Sequence, residues 1–339
     1  MNKLIYQASL DEVIDAIEVN RKRFLITGAS GLIGSCLTDL LLQSNASGKE
    51  NHIYVLGRSK SKLEKRFSDY LRSEYFHIVE QDICSPLDDG LEFDYIIHGA
   101  SNADPISYAK YPAETMMINM LGGINVLEYG KKHPYCQIEM LSTFEVYGNA
   151  GKDNYSETDV GLLDFNQLRS CYPVSKRTIE TLSKCYHDEY GVKVNIGRLA
   201  SIYGPTMAEN DSKAHAQFLK NALDGRDIIL KSKGEQRRTY CYVIDAVTGI
   251  LCILFHGDFG TAYNISNENA VVTIAEVAQT VAKIAGTKVV FDIPDELETK
   301  GFSKPQNCIL LNDKLRALGW QGRYNLNAGI EETYMILKD

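Results

Sequence analysis

Three glycines spaced three apart, Gly28, Gly31 and Gly34 in TGASGLIGS, constrain this chain more than any other feature. A short β-branched run, RFLIT at 23–27, leads into them, and a stretch of helical periodicity follows. Glycine permits the tight turn from strand to helix and close backbone approach by a ligand. The helix start then offers unpaired N–H groups to a pyrophosphate. Strand, loop and helix in that order point to dinucleotide binding, with Ser30, Leu32 and Ile33 as further loop contacts. Apolar runs recur at HIYVLG (52–57), FHIVEQD (76–82), FDYIIHGAS (93–101), QIEMLST (137–143) and KVNIGRL (193–199), and helical segments separate most of them. This alternation predicts an α/β fold of Rossmann type, a doubly wound parallel sheet covered on both faces.

After residue 199 the rhythm changes to turn-rich segments, a basic cluster at EQRRTY and a mixture of short strands and helices. The expected organisation is an NAD(P)-binding domain at 1–199 and a smaller mixed α/β substrate-binding lobe at 200–339. Ser9 and Glu12 stand at capping-box spacing ahead of Val13, Ile14 and Ile17, which predicts an N-terminal helix over about 9–19. With 36 Lys+Arg against 44 Asp+Glu the formal net charge is −8. Such a surface has no general attraction for polyanions, so a nucleic-acid partner is not expected. No apolar run approaches the roughly 20 residues of a membrane span. The eight cysteines are scattered without a CxxC pair, the usage of reduced thiols in a cytoplasmic protein and not of a disulfide framework or metal site.

The second strand reads VLGRS. The acid that usually accepts from the ribose 2′-OH is replaced there by Gly57, with Arg58 and Ser59 after it. A guanidinium suits a 2′-phosphate, which favours NADP over NAD; the other use of Arg58 is to stack on the adenine. Asp82, followed by Ile83 just past the third strand, suits either the adenine amino group or a helix cap.

Tyr172 and Lys176, in YPVSK, are four apart and share a helical face. A phenol is a poor base near neutrality, and an ammonium close by favours the phenolate. Thr143 stands 29 residues upstream at the end of a strand, where its hydroxyl can share a proton with the phenol. Glu145, two residues on, falls at the carboxyl end of the sheet, where a carboxylate can act as a base, orient a substrate or simply face solvent.

The glycine loop, HGAS (Gly99, Ala100, Ser101), Asn119, STFEVYG and YPVSK occur in this order. Together they resemble the extended short-chain dehydrogenase/reductase superfamily, in its nucleotide-sugar epimerase/dehydratase branch, from Arg23 onward. The middle of the chain is most similar to the UDP-glucuronate decarboxylases, in ASNADPISYAKYPAETMMINMLGGINVLEYGKK, STFEVYG, RSCYPVSKR and GRLASIYGPTM. The resemblance implies a catalytic trio of Thr143, Tyr172 and Lys176, with Glu145 as an acid that helps the sugar react. It implies NAD or NADP, bound and recycled, touching Gly99, Ala100, Ser101, Asn119, Leu199, Tyr172 and Lys176. Arg238 would reach the diphosphate of a nucleotide-sugar substrate, Ser201 takes the place of an asparagine that touches substrate, and Arg169 holds the loop before Tyr172 or meets the substrate. A homodimer through the helices bearing Asn119 and Tyr172 is also implied. The reaction expected is decarboxylation through a transient 4-keto sugar. The alternatives are a 4,6-dehydratase, a 4-epimerase, a reductase of a small carbonyl compound, or a non-catalytic cofactor sensor. Phe144 departs from the pattern, standing where the decarboxylases carry a small hydroxyl residue and the dehydratases an aspartate.

Overall fold

The computed structural model describes residues 1–293 and 307–338. Helix α1 (Lys3–Asp11) precedes β1 (Arg23–Thr27), α2 (Leu32–Ser44), β2 (His52–Gly57), α3 (Lys60–Arg66), β3 (Phe76–Glu80) and β4 (Tyr95–His98). Then come α4 (Pro105–Lys110), α5 (Pro112–Lys132), β5 (Gln137–Thr143), β6 (Asn154–Tyr155), α6 (Cys171–Tyr190) and β7 (Lys193–Leu199). The remainder is β8 (Ser201–Tyr203), α7 (Ala214–Leu223), β9 (Ile228–Leu230), β10 (Arg237–Tyr242), α8 (Val243–His256), β11 (Ala262–Ile265), β12 (Val271–Thr273), α9 (Ile274–Ala285), β13 (Val289–Phe291), β14 (Ile309–Leu310), α10 (Asp313–Ala317) and α11 (Leu326–Leu337).

Seven strands form one sheet in the order β3-β2-β1-β4-β5-β7-β11, and every pairing is parallel. Its central strands are buried on both faces, which explains their continuous apolar runs. Along β1 the side chains alternate. Phe24 and Ile26 join Leu37 and Leu40 of α2 and Ile250 of α8 on one face, while Leu25 packs with Val126 of α5 and Ile179 of α6 on the other. The chain winds one way from β1 to β3 and the other way from β4 onward. A crevice therefore opens between the carboxyl ends of β1 and β4, the place where such sheets bind ligands.

Beyond residue 199 the chain crosses between the halves more than once. Strand β11 pairs with β7 at the sheet edge, with Ile265 opposite Leu199, and α8 contributes to the sheet core. Smaller sheets, β12-β10-β8 and β13-β9, belong to the second half, and β14 returns to pair with β6 of the first. The parallel pairing of β10 with β8, Tyr240 opposite Ser201, ties that half to the end of β7.

The N-terminal helix begins earlier than its sequence pattern suggests, and the expected span of about 9–19 is corrected to Lys3–Asp11 with a separate 3-10 turn at Ile14–Ala16. Asn2 is the cap, its side chain accepting from the Ile5 amide, so Ser9 falls inside the helix and donates its hydroxyl to the Ile5 carbonyl. Leu10, Val13 and Ile17 are buried. All eight cysteine thiols are free, and among the described residues no helix is long and apolar enough to cross a membrane.

Candidate active site

The glycine loop turns because Gly28 adopts φ +68°. A Cβ at Gly28 would lie 2.7 Å from the Gly99 carbonyl carbon, and one at Gly34 would lie 2.5 Å from the Gly28 carbonyl oxygen. Only glycine lets β1, β4 and α2 close on one another in this way. Gly31 caps α2 without a side-chain hydrogen bond. The first-turn amides, which have no intrahelical partners, stay available to an anion. Behind the loop, the Thr27 hydroxyl oxygen accepts from the Gly99 and Ala100 amides at 3.2 Å each and pairs with His98 Nδ1 at 2.8 Å. Burial, with Lys176 nearby, pushes His98 down to about 3, so the ring is neutral. This arrangement is a cradle that fits a dinucleotide pyrophosphate.

The other expected cofactor contacts surround that cradle. Arg58 lies at the end of β2, exposed, with Nη1 3.4 Å from Glu114 of α5. Ser59 caps α3, its hydroxyl accepting from the Lys62 amide. The Asp82 carboxylate accepts from the Cys84 amide at 2.9 Å, closing a turn after β3, and Ile83 is buried. Asn119 is also buried: Ser101 donates to its side-chain oxygen at 2.7 Å, and its amide donates to the Ser175 hydroxyl at 2.9 Å. Asn119 therefore joins the β4 loop to α5 and α6.

A cleft of about 740 Å³ runs from the glycine loop past the end of β5 to β10. Thr143, Glu145, Tyr172, Lys176, Leu199, Ser201 and Arg238 all line it, together with Ser30, Leu32, Ile33, Gly99 and Ser101. Arg58, Ser59, Asp82, Ile83, Ala100 and Asn119 lie outside its wall. Thr143 is there because β5 ends at it, and Tyr172 because α6 begins at Cys171, with Pro173 in its first turn.

Tyr172 is buried, and burial is the largest influence on its phenol, raising its pKa well above the usual range. The Glu145 charge raises it further, while hydrogen bonds with the Thr143 and Tyr108 hydroxyls and the charge of Arg169 pull it down. Lys176 follows Tyr172 one helical turn later on α6. Its ammonium donates to the Leu141 carbonyl at 2.9 Å, and burial lowers it to about 8. Desolvation dominates, and the phenol keeps its proton.

Several contacts in the cleft were not marked by the sequence. Tyr108 of α4 stacks on Tyr172 with centroids 4.6 Å apart, and the Arg169 guanidinium lies 4.5 Å above the Tyr108 ring. Arg169 also binds Glu145 at 2.6 Å. Arg238 stands over the Phe144 ring at 5.6 Å. Lys213 and His215, at the start of α7, complete the far wall. Tyr108 lies within the ASNADPISYAK stretch that carries the family resemblance, whereas a lone histidine such as His215 has no sequence pattern to mark it.

The sequence pattern of the NAD dependent epimerase/dehydratase family matches residues 24–266. UDP-glucuronic acid decarboxylase 6 of Arabidopsis thaliana is 31% identical over 91% of this chain and 86% of its own length. UDP-glucuronic acid decarboxylase 1 of Xenopus tropicalis is 30% identical over 93% of this chain and 72% of its own. Among solved structures, a UDP-glucose 4-epimerase from Thermotoga maritima, with UDP-glucose, superposes with a TM-score of 0.77 at 24% identity, covering 93% of this chain and 98% of that one. A dTDP-glucose 4,6-dehydratase from Bacillus anthracis, in complex with NAD, gives a TM-score of 0.76 at 21% identity over 93% and 96%.

Proposed function

Since the chain belongs to the NAD dependent epimerase/dehydratase family, we propose that its cleft holds a nucleoside diphosphate sugar and remodels it through a transient 4-ketone. Decarboxylation of UDP-glucuronate is the reaction we favour. One observation carries this reading. At one end of a single cleft the Thr143 hydroxyl, the Tyr172 phenol and the Glu145 carboxylate come together, and Arg238 stands in the wall of the same cleft without an acidic partner among the described residues.

A nicotinamide dinucleotide held here would supply the hydride acceptor and, later, the hydride donor. The amides of Leu32 and Ile33 would hold its pyrophosphate, and Lys176 a ribose. Arg58 would meet a 2′-phosphate, which favours NADP over NAD. Tyr172 takes the proton of the C4 hydroxyl and Thr143 shares it. Lys176, one helical turn away, is the cation at hand to favour the phenolate once the site is filled. The resulting ketone makes a C6 carboxylate part of a β-keto acid. The C5–C6 bond then breaks, carbon dioxide leaves, and the electron pair passes into an enolate that takes a proton at C5. Glu145 is the carboxyl group closest in role to that step, and Arg169 holds it in place. Arg238 binds the diphosphate, whose fixed position orients the sugar. Phe144 has no proton to give, which favours loss of carbon dioxide over loss of water.

We also infer a homodimer through α5 and α6, whose apolar stripe of Met117, Leu121, Ile124, Val174 and Leu182 is at least partly exposed in the single chain. Incubation with UDP-glucuronate followed by mass spectrometry tests the reaction. A UDP-pentose formed together with carbon dioxide is expected; unchanged UDP-glucuronate would remove decarboxylation from the reading.

A further inference from the structure

Two nitrogen atoms in the cleft wall are buried without a hydrogen-bond partner among the described residues, Arg238 Nε and His215 Nε2. Buried polar atoms are almost always satisfied, so an orphaned nitrogen on each of two residues that line one cavity points to a ligand that draws on both side chains. His215 sits in the first turn of α7 and is 5% exposed. Its ring stands edge-on to Tyr240 with centroids 5.8 Å apart. Tyr240 follows Arg238 by two residues along β10, which places both on one face of that strand. The groups acting on the ring are Lys213 at the start of its own helix, Arg238 on β10 and the Ile202 backbone on β8. Burial and the two cations push the imidazole down to about 3, against the Ile202 backbone, so it is neutral. Lys213 is only loosely paired, 3.8 Å from Asp211.

A group that satisfies Arg238, Lys213 and the imidazole together must be an anion rich in acceptors. We propose that His215 is a phosphate ligand of this cleft, its Nε2 hydrogen-bonding the diphosphate that Arg238 binds. The assignment rests on the reading of the cleft as a nucleotide-sugar site and adds a contact to it. A phosphate oxygen only accepts, so Nε2 carries a proton when the diphosphate is in place. The hydrogen bond with the Ile202 backbone favours the charged ring, and the ring takes up one proton from solvent as the ligand enters. The negative charges of the diphosphate reverse the field that keeps the ring neutral beforehand.

Titration calorimetry on the full chain, saturated with NAD, tests this with UDP as ligand and uridine as the control that lacks phosphate. Wild type binds UDP more tightly than uridine. His215→Val weakens UDP binding by roughly tenfold and leaves uridine binding and NAD binding unchanged. His215→Gln, which keeps an N–H donor at the tip of the side chain, recovers most of the loss. From about pH 6 to about pH 8 wild type loses UDP affinity more steeply than His215→Gln, because only the imidazole must gain a proton; the ionisation of UDP itself is common to both proteins. Equal UDP affinities for wild type and His215→Val, or equal pH slopes for wild type and His215→Gln, overturn the assignment and leave the substrate reading standing. A wild type that binds UDP no better than uridine overturns both.

Discussion

The Arg169 guanidinium holds the Glu145 carboxylate at 2.6 Å, in the wall of the cleft that Tyr172 also lines. The two charges act on the phenol in opposite directions, Glu145 raising it and Arg169 lowering it. Removing one partner therefore exposes the other.

Arg169→Ala should move the basic rise of the pH–rate profile to higher pH and lower turnover near neutrality by on the order of tenfold. Glu145→Gln should move the same limb to lower pH, whatever it costs in rate. The pair is partly exposed, so thermal unfolding of either variant should stay within about 1 kcal/mol of wild type. Limbs that do not move in opposite directions would show that neither charge tunes the phenol.

Tyr172→Phe removes the hydroxyl that transfers the C4 proton and keeps the stacked ring. Turnover should fall by roughly 10²–10⁴, while UDP and NAD bind as before. Steady-state rates set beside binding titrations separate these effects. Retained turnover would contradict the assignment of Tyr172.

Lys176 is pushed down to about 8 by burial, so the folded state holds its proton less tightly than the unfolded chain does. Between about 8 and the ordinary value of 10.5 the unfolded chain binds more protons, and stability contributed through this group rises with pH across that window. Below about 8 the full cost of the buried ammonium is present. Lys176→Met removes that cost along with the hydrogen bond to Leu141. The ligand-free variant should be less sensitive to pH in this range than wild type, although it is inactive. Melting temperatures followed from neutral to alkaline pH give the comparison, and parallel curves would mean that the ammonium is not strained by burial.

Arg58 stands outside the cleft wall, its Nη1 3.4 Å from Glu114. If it meets a 2′-phosphate, Arg58→Asp should weaken NADP binding by on the order of tenfold or more and favour NAD, since a carboxylate repels the phosphate and accepts from a ribose hydroxyl. Fluorescence titration with the two reduced cofactors reads the ratio. An unchanged ratio would leave Arg58 as an adenine-stacking residue.

Much of this was legible in the residues because local chemistry dictated it. The glycine spacing required a strand-to-helix turn, and Gly28 and Gly34 stand where a Cβ would collide with backbone. The parallel sheet was legible because its central strands are buried on both faces and so read as continuous apolar runs. What was not legible depends on long-range packing. The orientation of Lys176 toward the Leu141 carbonyl is set by the depth of the pocket, and four-residue spacing cannot reveal it. The stack of Tyr108 on Tyr172 joins segments more than sixty positions apart in sequence (172 − 108 = 64). The start of α1 is fixed by Asn2, which caps it, while Ser9, the cap expected from the sequence, lies inside the helix. The return of β11 to the sheet edge follows from pairing with β7, a choice that the short run AYNI does not encode by itself.

The most direct measurement follows an isotope. UDP-glucuronate carrying deuterium at C4 is incubated with the protein and a trace of cofactor, and the product sugar is analysed by mass spectrometry and NMR. A 4-ketone formed and reduced within one cleft predicts a pentose product that keeps its deuterium at C4, with no net change in free cofactor. Deuterium accumulating in the free cofactor in step with turnover, or substrate recovered unaltered, would contradict the account.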